Sequence, residues 1–114
     1  MFKIAENPTY KWPVTVQVPK DGGKFVPATF TAELKALGQG DIDRAIAAAS
    51  NGDDNADILL EVLVGWSGVQ DADGTELPYS EEARAKLLDI PYVRRALVAA
   101  FFDSITSSGA RRKN

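Results

Sequence analysis

Most side-chain chemistry begins with histidine, cysteine or paired carboxylates, and this chain has no histidine and no cysteine. The first absence removes the commonest general base and metal ligand. The second removes thiol nucleophiles, disulfides and thiolate metal sites. Serine–histidine and cysteine–histidine nucleophile systems are therefore ruled out. The acids that remain are poorly spaced for catalysis. Asp71-x-Asp73-Gly74-x-Glu76 shares part of a calcium-loop pattern. That pattern needs three oxygen ligands before its glycine and a glutamate at its twelfth position. Only two acids precede Gly74, and the twelfth position falls on Glu82, at an expected helix start. A tight acidic turn is the simpler reading. Glu81 and Glu82 are adjacent on a helix and do not face each other, so they form no catalytic dyad. Gly38-x-Gly40 lacks the third glycine and the βαβ context of a dinucleotide site. No enzymatic activity, metal or cofactor is expected.

The basic groups are Arg94-Arg95 and Arg111-Arg112-Lys113. A nucleic-acid reader usually shows a basic domain and a known motif. Here the sequence pI is about 4.9 and no such motif is present, so no nucleic-acid partner is expected. The formal net charge of −3 conceals a division along the chain. Residues 1–38 carry five lysines and three acids, residues 39–89 three basic and twelve acidic side chains, and residues 90–114 five basic and one acidic. These are either the solvated faces of a mixed-charge domain or surfaces that could dock head to tail.

The elements that must position these groups follow from periodicity. Trp12, Val14, Val16 and Val18 alternate with Pro13, Thr15 and Gln17, which predicts a half-buried strand. Pro13 and Pro19 place it at a sheet edge or confine its pairing to the middle. Lys20-Asp21-Gly22-Gly23 predicts a turn. A second alternation puts Val26, Ala28, Phe30, Ala32 and Leu34 on one face, with Phe25, Thr29, Thr31 and Glu33 on the other. The pair reads as a β-hairpin, which needs a further layer to cover its apolar face.

Helices follow. Asp41 is expected to cap one over about 42–50, with Ile42, Ala45, Ile46 and Ala49 on its stripe. Asp53 or Asp54 is expected to cap a second, whose face carries Ile58, Leu59, Val62, Leu63 and Trp66. Ser80 starts a third, with Glu81 and Glu82 in its first turn. Asp89 is expected to cap the last, with Pro91 in its first turn and Val93, Leu97, Ala100, Phe101 and Ile105 facing the core to about residue 107. Trp12 and Trp66 are expected in the core. Phe102 lies at the margin of the last stripe. The predicted fold class is α+β, an N-terminal β-hairpin packed on a small bundle of about four helices. Residues 1–107 are expected to form one domain and residues 108–114 a flexible basic tail.

The stretch from Leu59 to Ala100 carries a resemblance. It contains Gly65-Trp66-Ser67-Gly68-Val69, then Asp71-Ala72-Asp73-Gly74, then Leu77-Pro78-Tyr79-Ser80, and closes on Leu87-Leu88-Asp89-Ile90-Pro91-Tyr92-Val93-Arg94-Arg95-Ala96-Leu97. These segments, in this order, resemble the tail assembly chaperones of siphophages and their prophages. Phe25, Ala28, Thr29 and Phe30 fit that family's opening hairpin, while Thr31 stands where a basic residue is expected. The resemblance implies a non-enzymatic protein that binds the long helical tape measure protein. It would keep that client soluble, promote polymerisation of tail tube protein around it, and be absent from the mature virion. The division of charge and the exposed hairpin edge give two routes to weak homo-oligomers.

The remaining expectations concern place and surface. Met1 to Glu6 shows no signal-peptide pattern, and Ile58 to Trp66 falls short of the ~20 apolar residues of a membrane span, so a cytoplasmic protein without membrane contact is expected. Phe102, Arg94 and Arg95 are the candidate partner-binding residues, because the last helix needs them least for its core stripe. A structural tail or head–tail connector component, or a small nucleic-acid-binding regulator, are the alternative functions.

Overall fold

The computed structural model describes residues 8–52 and 56–106. Two long strands, β1 (Thr9–Lys20) and β2 (Lys24–Lys35), pair antiparallel in the expected hairpin. Gly22 and Gly23 take φ of 83° and 76° in the connecting turn, a region that residues with a Cβ rarely enter. The register sets Val14 opposite Phe30 and Trp12 opposite Ala32. Paired residues in an antiparallel ladder share a face, and this face is the core side of the sheet. Val14, Val16, Phe30, Ala32 and Leu34 are all buried there. The apolar alternation continues to the tip, but burial does not: Val26 is 47% exposed and Phe25, on the opposite face, 61%.

The prolines fit the ladder. The Ala36 amide donates to the Pro8 carbonyl at 3.0 Å, so alternate residues from Pro8 onward turn their backbone groups toward β2. Pro13 and Pro19 fall on the other parity. Their missing N–H groups face the open edge, where no ladder bond is lost.

The α+β reading holds, with one addition. The sheet has three strands in the order β1-β2-β3, because residues expected to be helical supply a strand. The helix α1 (Gln39–Ser50) comes first, then α2 (Ala56–Val62), which stops after seven residues. The chain continues at once as β3 (Leu63–Ser67), antiparallel to β2. The last carbonyls of a helix lack intrahelical donors. Here Arg84 Nη1 donates to the Leu60 carbonyl at 2.7 Å, and the Tyr79 hydroxyl donates to that of Leu63 at 2.9 Å. Glu33 pairs with Gly65 and Leu34 with Leu63, leaving Val64 as the extra residue of a β-bulge. Gly65 lets the strands approach closely there: a Cβ would sit 3.1 Å from Glu33 Oε1, and the Glu33 side chain would have to give way.

Two helices complete the core: α3 (Glu81–Leu88) and α4 (Pro91–Ile105). Ser80 caps α3 as expected, its Oγ accepting from the Ala83 amide at 3.0 Å. The cap expected of Asp89 is not made. Asp89 instead closes α3, and Ile90 precedes α4 with Pro91 in the first turn. Val93, Leu97, Ala100 and Phe101 are buried, while Ile105 packs at the edge of the core. α4 runs antiparallel to β1. The hydroxyls of Tyr10 and Ser104 share a hydrogen bond of 2.7 Å, tying the start of one to the end of the other.

α1 also departs from expectation. Gly38, not Asp41, stands at its N-cap, and Asp41 forms an ion pair with Arg44 one turn on. Of the expected stripe only Ala45 is buried, and Ile46 is 44% exposed. The caps expected at Asp53 or Asp54, and the basic tail, lie outside the described residues.

Candidate functional site

The candidate surface is built where the hairpin overruns the core. Beyond Val16 and Phe30 the inner face of the sheet no longer meets a full helical layer. It leaves an open apolar groove of about 160 Å³. Val18, Ala28 and Phe30 form its sheet wall, Val69 its base, and Leu87 and Tyr92 its helical wall. Gly68, at φ 82°, turns the chain out of β3 into this groove, and a Cβ there would lie 3.7 Å from Phe30. The groove is nearly free of polar surface, so an apolar side chain from a partner would lose no hydrogen bond on entering.

A second groove, of about 490 Å³, lies on the other side of Tyr92. It runs along the open edge of β1, between Thr15, Gln17 and Phe25 on the hairpin and Tyr92, Arg95, Ala96 and Ala99 on α4. Tyr92 divides the two grooves.

The sequence-predicted residues separate on this frame. Arg95 is exposed and lines the second groove. Phe102 lies two turns along the same helix stripe, half-buried, its ring edge-on to Phe101 at 5.4 Å. Arg94 is turned about 100° away. Its Nε donates to the Leu88 carbonyl at 3.0 Å, which supports the end of α3. The structure therefore brings Arg95 and Phe102 to one face and gives Arg94 a bracing contact. Reading the sequence missed Ala28, Leu87 and Tyr92. A signal existed for Tyr92, which follows Pro91 and falls off the Val93–Leu97 core stripe.

The two tryptophans are half-buried rather than enclosed. Trp12 meets Tyr10 edge-on at 6.3 Å. Trp66 packs edge-on against Tyr79 at 5.0 Å and donates from Nε1 to the Leu77 carbonyl at 2.8 Å. The acidic turn is held by its own first residue. Asp71 Oδ1 accepts from the amides of Asp73 and Thr75, at 2.9 and 3.1 Å. Among the described residues no group of three or more acids could hold a metal ion, and no helix is long and apolar enough to cross a membrane.

Comparison with curated proteins and with solved structures yields no match. Comparison with protein families matches residues 27–114, most of the chain, to the family described as YdaY prophage protein. The matched region starts inside β2 and includes Gly68 and Val69 after β3 and every residue that α3 and α4 contribute to the two grooves. On that match, the chain belongs to the YdaY prophage protein family.

Proposed function

We propose that this prophage protein is a tail assembly chaperone, a non-enzymatic binder of the tape measure protein. One observation supports the reading above others. The segments that carry the family resemblance converge on a single apolar groove: Ala28, Thr29 and Phe30 from the hairpin, Gly68 and Val69 after β3, and Leu87, Tyr92 and Val93 from α3 and α4. Residues far apart in the chain supply one open, uncharged slot. Its size suits single apolar anchors presented along an amphipathic helix. Many copies, each holding one such anchor, would mask the apolar stripes of a long client and keep it soluble while tail tube protein assembles around it. In this reading the protein acts in the host cytoplasm and leaves before the virion is complete.

The test is co-expression with the protein encoded immediately downstream. The expected result is a soluble complex with many copies of this chain per client. Ala28 is exposed on the groove wall, so Ala28→Arg should fill the slot, leave the circular dichroism spectrum unchanged and return the client to the pellet. A client that stays insoluble with the unaltered chain, together with recovery of this chain in finished particles, would move the assignment to a structural tail component.

A further inference from the structure

Among the described residues, the exposed large apolar side chains other than Ile46 of α1 fall in two places. Phe25 and Val26 lie at the hairpin tip, and Leu60 and Val64, 47% and 38% exposed, at the corner where α2 becomes β3. The two places are set apart along β2, the middle strand: Phe25 and Val26 pair with Pro19 and Val18 at one end, and β3 pairs only with residues 31–34 toward the other. They also differ in charge. The tip carries Lys20 and Lys24 against Asp21, and Arg95 stands across the groove of about 490 Å³ that Phe25 overhangs. The corner carries Asp57 one turn before Leu60, and Glu61 beside it. Arg84 pins α3 to this corner through the Leu60 carbonyl, and Glu81 and Glu82 begin that helix.

We infer that copies of this chain associate head to tail, the basic groove between hairpin tip and α4 of one copy receiving the acidic Leu60–Val64 corner of the next. Three features select a second copy as the occupant. The corner presents apolar side chains of the kind that the groove, lined by Phe25, Tyr92, Ala96 and Ala99, would bury. Asp57 and Glu61 have the sign that Arg95 and the tip lysines attract. The simpler route to self-association, pairing along the free edge of β1, is obstructed by Pro13 and Pro19, which offer no amide at that edge. The two surfaces differ, so the contact is heterologous, and each added copy leaves one groove and one corner open. The product is an open row, not a closed dimer. The inner apolar groove is a separate surface that shares only Tyr92 with the groove that receives the corner. This inference does not depend on what that inner groove binds.

The test uses the full chain alone, by sedimentation velocity over a range of concentrations and salt. The unaltered protein should form a concentration-dependent ladder of species that shortens as salt screens the charged rims. Phe25→Asp removes the groove and Leu60→Asp removes the corner. Each alone should weaken association by about tenfold or more. Mixed together, they should form a dimer that grows no further, because each variant keeps the surface the other lacks. Arg95→Glu and Glu61→Arg should weaken association singly and restore it when combined in one chain, which guards against misfolding of either aspartate variant. A strictly monomeric unaltered chain, a mixture of the two aspartate variants that stays monomeric, or variants that associate as the unaltered chain does would each overturn the inference.

Discussion

The base and the tip of the hairpin carry the same alternating pattern and meet opposite fates. At the base, Val14, Val16, Phe30, Ala32 and Leu34 are sealed beneath α4 and α2. At the tip, toward the start of α4, Phe25 and Val26 stay largely exposed. Alternation states that one face of a strand is apolar, and it does not state how far the covering layer extends. The base is sealed and the tip is left open, and both proposed binding grooves lie where the helical cover gives out.

That contrast can be broken or sharpened by substitution. The largest effect is expected at Leu34, 1% exposed and paired with Leu63 across the bulge. Leu34→Ala should cost about 3 kcal/mol in urea unfolding, from lost transfer energy and the cavity left behind. Arg84 should come next. Its guanidinium serves the Leu60 carbonyl at 2.7 Å and the Tyr79 hydroxyl at 3.2 Å. Arg84→Ala should cost about 2 kcal/mol and loosen the α2–β3 junction, seen as faster amide exchange in β3 than in β1. The smallest effect is expected at the tip, where Phe25→Ser should change stability by no more than about 0.5 kcal/mol. A loss at Phe25 comparable to that at Leu34 would erase the distinction and return the tip to the core.

The junction of α2 and β3 shows why part of the fold was not legible. Ile58, Leu59, Val62, Leu63 and Trp66 have helical spacing, and all five lie in the core or pack against it. The first part of the series is a helix. The step from Leu63 to Trp66 is a bulged strand, in which the extra residue Val64 shifts the parity and returns Trp66 to the inner face. A bulge therefore imitates a helical interval. Gly65 and Gly68 weaken the end of a helix here, but the donor that serves the Leu60 carbonyl is Arg84, more than twenty residues later in the chain, and no local pattern announces that contact. The candidate residues divide in the same way. Arg95 was legible as an exposed charge, whereas the bracing contact of Arg94 depends on where α3 ends.

Local chemistry was enough for the hairpin, the Ser80 cap, the Asp71–Gly74 turn and the buried stripe of α4, because each depends on residues within a few positions of one another. Tertiary structure decided the third strand, the exposure of α1 and the two grooves on either side of Tyr92. Each of those depends on whether a distant element arrives to satisfy a carbonyl or cover an apolar face, and that information resides in packing, not in periodicity.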